Sequence, residues 1–279
     1  MRRWYAALGL TLVVMASSVV WLPVLGAGGI LYPMRRHVAA PTPRSCDDVA
    51  FSSGDLTLKG WHCAAVGPRR GAIVYLHGIA DNRASSSGII DRFVPRGFDV
   101  VAYDSRAHGE SGGEACTYGV LEKVDLSRVL DRLAPAPVVV IGTSLGGAVA
   151  LQAAADDSRI AAVVAAESFS DLRTVVTERA PFFFNGRAVA AALERAARDG
   201  HFDVDAASPA AAAKRIRNPV LLIHGADDVE TPPDHSRRIF SALTGPKRLV
   251  IVPGATHNTS LHGNIWLEIE RWINDVLPR

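Results

Sequence analysis

Cysteine is scarce in this 279-residue chain, at three residues. No two of them form a Cys-x-x-Cys pair, which excludes a disulfide-scaffolded mini-protein and gives no sign of a zinc ribbon. An excess of either charge is also missing: 30 Lys and Arg stand against 28 Asp and Glu, with no basic block of five or more. The electrostatic footprint of a nucleic-acid binder is therefore absent, and no such partner is expected. No internal repeat is visible. What the chain does have is apolar residues, 48% hydrophobic against 21% charged. That is enough to bury a large core and excludes a disordered tail.

Charged residues are absent from Trp4 to Tyr32, and Ala6 to Val20 is a dense apolar run. A hydrocarbon core needs about 20 residues at 1.5 Å rise each, so residues 1–34 read as a transmembrane anchor. Arg2 and Arg3 precede the run, Arg35 and Arg36 follow it, and Trp4, Tyr5, Trp21 and Tyr32 lie where interfacial aromatics belong. A cleaved signal peptide ending near Gly26–Gly29, giving a secreted protein, is the main alternative, and a buried N-terminal helix ranks below it. Positive charge on both flanks leaves the orientation of an anchor open; the remainder is expected outside the cytoplasm because of a Cys46–Cys63 pair in the segment that follows. Residues 35–45 read as a linker, and the folded domain is expected to begin near Cys46.

Residues 48–63 alternate apolar and polar on both sides of Ser53-Gly54-Asp55, the pattern of a β-hairpin. A register with Phe51 opposite Leu58 also sets Cys46 opposite Cys63, close enough for a disulfide. Beyond the hairpin, short Val- and Ile-rich runs at 72–77, 98–104, 137–142, 160–166, 218–225 and 247–254 alternate with helical spacing. Strands apolar throughout must be buried on both faces, so one α/β domain with a mostly parallel sheet is expected over 46–279. Residues 168–215 interrupt the alternation with an apolar Pro181-Phe182-Phe183-Phe184 group and an Ala- and Arg-rich helical piece, and read as a small helical lid.

Gly142-Thr143-Ser144-Leu145-Gly146-Gly147 follows the strand run 137–142 and opens an apolar helix. A serine on a tight strand-to-helix turn projects its hydroxyl above the sheet. Glycines relieve the crowding around it, and the helix N-terminus favours negative charge. The domain resembles the α/β-hydrolase superfamily in His77-Gly78, the loop Asp104 to Gly113, the turn around Ser144, His224-Gly225-Ala226-Asp227-Asp228 with Thr231-Pro232, and Gly254-Ala255-Thr256-His257. It is similar to the superfamily's membrane-anchored serine-hydrolase branch, with lysophospholipase-like and acyl-protein-hydrolase-like members. Ser105-Arg106-Ala107 departs from the Arg-Gly step frequent there.

A serine hydroxyl needs a base within reach and a third group to orient that base. His257, after the last strand run, is the better base and His262 its rival. Asp228, Asp227 and Asp171 all follow strands and are candidates for the acid; the resemblance implies Asp228. The backbone N–H groups of Leu145 and Ile79 are the expected oxyanion donors. His77, His108 and His224 read as structural, and Asp104 with Arg106 as an ion pair beneath the site. No cofactor or metal is implied. The expected activity is hydrolysis of carboxylic esters, lipid-like or acylated, through an acyl-serine. Alternatives are a thioesterase or serine peptidase using the same three residues, and a non-catalytic scaffold of the same fold.

Overall fold

The computed structural model describes residues 21–277. Its eight strands are β1 (Cys46–Ser53), β2 (Leu56–Cys63), β3 (Gly71–Leu76), β4 (Phe98–Tyr103), β5 (Val138–Thr143), β6 (Ile160–Ala166), β7 (Val220–Gly225) and β8 (Lys247–Val252). They form one sheet in the order β1-β2-β4-β3-β5-β6-β7-β8. The β1–β2 and β2–β4 pairs are antiparallel and the other five parallel. Helical residues 21–31 (α1) precede the sheet. The later helices are α2 (Ser87–Phe93), α3 (Glu122–Leu130), α4 (Leu145–Ala154), α5 (Leu172–Arg179), α6 (Gly186–Asp199), α7 (Pro209–Ala213), α8 (Asp234–Ala242) and α9 (Ile265–Val276).

The alternation of side chains in β3 shows why these strands carry no polar face. Ala72, Val74 and Leu76 enter one apolar layer, while Ile73 and Tyr75 enter the other. Both layers are covered: α3, α4 and α8 contribute to the first, and α2 and α9 to the second. Each Val or Ile so buried contributes about 1.5–3 kcal/mol relative to exposure. At the sheet edge, β1 and β2 pair with Phe51 opposite Leu58 and Cys46 opposite Cys63, and these two cysteines form a disulfide.

Between β6 and β7 lie α5, α6, a 3₁₀ turn (Val204–Ala206) and α7. The Asn185 side chain caps α6, accepting the Ala188 N–H at 3.0 Å. Val189, Ala192, Leu193 and Ala196 recur at helical spacing and bury the inner face of α6.

Two expectations need correction. The N-terminal segment was set apart from the domain up to Cys46, yet its described part packs into the core. Ala27, Ile30 and Leu31 are buried in the same apolar layer as α4. The Cys116 N–H donates to Leu31 O at 2.8 Å, and the Tyr118 hydroxyl to Ile30 O at 3.0 Å. Arg35, read as linker, donates to the carbonyls of Ser111 and Gly113. The cause is a stripe at 27, 30 and 31, positions that share one helical face. Among the described residues no helix is long and apolar enough to cross a membrane; the run Ala6–Val20 lies outside them. Nor do Asp104 and Arg106 pair. Asp104 is buried against Arg83, whereas Arg106 makes a two-pronged bond to Asp125 at 2.6 and 2.7 Å.

Candidate active site

Ser144 sits between β5 and α4 with φ 50° and ψ −112°, a strained backbone for a residue with a side chain. The turn is held so tightly that a Cβ on Gly142 would strike the backbone of Gly146, and one on Gly146 would strike the carbonyl of Leu76. Only glycine fits at either position. This geometry aims the hydroxyl out of the sheet at the carboxyl edge.

Two loops from the same edge meet it there. His257, in the loop after β8, sets Nε2 at 3.1 Å from Ser144 Oγ and Nδ1 at 2.7 Å from Asp228 Oδ2. An aspartate oxygen only accepts, so Nδ1 carries the proton and Nε2 is left to accept from the serine. Asp228, in the loop after β7, is itself fixed: Oδ1 accepts the N–H groups of Glu230 at 3.0 Å and Thr231 at 2.9 Å. His224 Nε2 lies 3.3 Å from Asp228 Oδ2. Burial alone would raise the pKa of this carboxyl, but hydrogen bonds from His224, His257 and Thr231 outweigh it and hold Asp228 well below the usual carboxylate range. It stays charged at neutral pH.

The loop after β3 faces the serine from the other side, and a Cβ on Gly78 would lie 3.6 Å from Ser144 Cβ. His77 is buried, its Nε2 accepting the Ser105 N–H at 3.0 Å, so its Nδ1–H donates to Gly78 O at 2.7 Å. Burial favours the neutral ring. Because the peptide is trans, fixing the Gly78 carbonyl turns the Ile79 N–H the opposite way. Ile79, Ser144 and Leu145 border one cavity.

The other candidates lie apart. Asp227 is exposed, Asp171 caps α5 by accepting the Thr174 N–H at 2.8 Å, and the Nδ1 of His262 is 3.2 Å from Thr259 O. Sequence reasoning missed Glu167, which directly follows β6, is buried, and has φ 55°. Its carboxylate accepts the N–H of Asn258 at 2.5 Å and of Ser260 at 2.9 Å, tying down the loop that carries His257. A carboxylate directly after an apolar strand run was the available signal. Arg179 of α5 was also missed; it bonds Glu230 O at 2.7 Å and Thr231 Oγ1 at 2.6 Å.

Two cavities open from Ser144. One, of about 640 Å³, is bordered by polar groups including Asp81, Ser85 and Glu167. The other, of about 460 Å³, is bordered mainly by carbon, from Leu25 and Ile30 of α1 to Val176 and Phe183. Phe182 is fully exposed, Phe183 partly, and Phe184 is half-buried.

A strand-turn-helix serine, an imidazole and a carboxylate from successive later strand ends, all on one eight-stranded sheet, define a known architecture. The family model described as alpha/beta hydrolase fold matches residues 71–207. This chain has the alpha/beta hydrolase fold. Within that fold its likeness to known proteins is broad. It is 28% identical over 280 residues to YfhR of Escherichia coli, itself uncharacterised, covering 95% of this chain and 92% of that one. Its structure is similar to the esterase Pf2001 of Pyrococcus furiosus, with a TM-score of 0.69 and 21% identity over 88% of this chain and 96% of that one. A 2,6-dihydroxy-pseudo-oxynicotine hydrolase gives 0.65 and 22% over 83% and 68%. At these identities the structural likeness is one of fold.

Proposed function

We propose that the protein is a serine hydrolase that cleaves carboxylic esters through an acyl-Ser144 intermediate, with lipid-like or acylated molecules as substrates. The observation that carries the reading is the unbroken chain of hydrogen bonds Ser144–His257–Asp228 at the junction of two cavities. As Oγ attacks the ester carbon, His257 Nε2 takes its proton and later gives it to the departing alcohol. The charged Asp228 keeps the imidazole in the right tautomer and stabilises its cation. The oxyanion faces the N–H groups of Leu145 and Ile79, each such donor being worth about 2.7–4 kcal/mol elsewhere. His257 then activates water to release the acid.

Lipid-like substrates are favoured by the carbon-lined cavity and by the exposed Phe182 and Phe183 rings near its edge. In this reading residues 168–215 serve as the lid over that cavity. The apolar run Ala6–Val20 supports attachment to a membrane, and the Cys46–Cys63 bridge supports a hydrolase domain outside the cytoplasm. The test is turnover of p-nitrophenyl esters by purified protein. Ser144→Ala and His257→Ala should each lose nearly all activity while unfolding at the wild-type temperature, and full turnover in either variant would overturn the proposal.

A further inference from the structure

The two cavities at Ser144 differ in chemistry, and an ester has two unlike halves to distribute between them. A polar alcohol placed against Leu25, Ile30, Val176 and Phe183 would leave its hydroxyls without partners, at a cost of several-fold to many-fold in affinity. A hydrocarbon chain there loses nothing and gains about fourfold in binding for each methylene removed from water. Building on the serine-hydrolase reading, we infer that the acyl chain lies in the carbon-lined cavity, and that helix α1, the chain's own N-terminal segment, is the wall that sets which acyl lengths are accepted.

The packing of α1 supports this. Gly26 brings the helix hard against α6: a Cβ there would sit 2.7 Å from Ala192 Cβ and 2.8 Å from Phe184 Cε1. Three residues on, Gly29 borders the cavity, and a Cβ there would meet nothing within 4 Å. One glycine closes the wall and the other leaves room beside it. The wall is fixed in place from its far end by the hydrogen bonds of Ile30 and Leu31 to the 116–118 segment. Leu145, an oxyanion donor in the mechanism above, borders this cavity too, so a chain entering it starts from a correctly placed carbonyl.

The experiment uses the full-length protein and p-nitrophenyl acetate, butyrate, octanoate and laurate. In the wild type kcat/KM should rise from acetate to octanoate. Gly29→Leu fills the cavity from α1 and Val176→Phe from α5; in each the octanoate-to-acetate ratio of kcat/KM should fall about tenfold or more. A ratio unchanged in both variants, or a wild-type series that is flat or falls with chain length, overturns the inference. Absence of turnover with every ester in the folded wild type instead removes the serine-hydrolase reading on which the inference rests.

Discussion

Glu167 and Asn258 meet through a hydrogen bond of 2.5 Å, in which the N–H next to His257 donates to a buried carboxylate 91 residues away in sequence. With the second bond, from Ser260, this holds the loop that presents the imidazole to Ser144. Glu167→Gln keeps the size but turns one acceptor into a donor facing an N–H, at a cost of about 1.5–3 kcal/mol for a charged hydrogen bond. The expected result is a fall in kcat of about tenfold with KM within about twofold, measured on a short-chain ester. A lower melting temperature with unchanged kcat would assign Glu167 to stability alone.

Stability should depend on pH through His108. Burial, and then the neighbouring His77 ring 5.2 Å away, lower its pKa from 6.5 to about 4. The unfolded chain therefore binds a proton between those values while the folded one does not, and stability falls as pH drops from about 6.5 to about 4. At about 1.4 kcal/mol per pH unit, the loss is on the order of 3 kcal/mol. Among the described residues His108 Nε2 is buried without a partner, so His108→Leu should fold and flatten this part of the profile in denaturant titrations. An unchanged slope would place the pH dependence elsewhere.

The Cys46–Cys63 bridge closes a sequence separation of 17 residues at the sheet edge. Replacing both cysteines by serine should cost about 2–4 kcal/mol in chemical unfolding, as cross-links of such loops do. Ester turnover should be unaffected, because β1 and β2 lie several strands away from β5. Free thiols at both positions in natively isolated protein would contradict the bridge and the extracytoplasmic reading with it.

The parallel strands were legible because strands buried on both faces leave continuous apolar runs, and Ser144 was legible because its turn requires glycine on both sides. His257 could be placed by its position after the last strand. The choice between Asp227 and Asp228 could not be made from residue type: what turns Asp228 inward is a pair of backbone N–H groups from 230 and 231. Glu167 stayed hidden for a related reason, its partners being main-chain donors from a distant loop. Adjacency suggested Asp104 for Arg106, but Asp104 faces the buried Arg83. The N-terminal segment was ambiguous in principle, since a bilayer and a protein core reward the same side chains; Ile30 and Leu31 found the core.

The most direct test is covalent labelling of the folded protein with a fluorophosphonate, followed by peptide mapping. The reagent needs an activated serine beside an oxyanion site, the role proposed for Ser144 from its hydrogen bond to His257 and that of His257 to Asp228. A single adduct on Ser144 is expected, lost in Ser144→Ala and strongly slowed in His257→Ala. No adduct on correctly folded wild-type protein, or one on a different serine, would contradict that role.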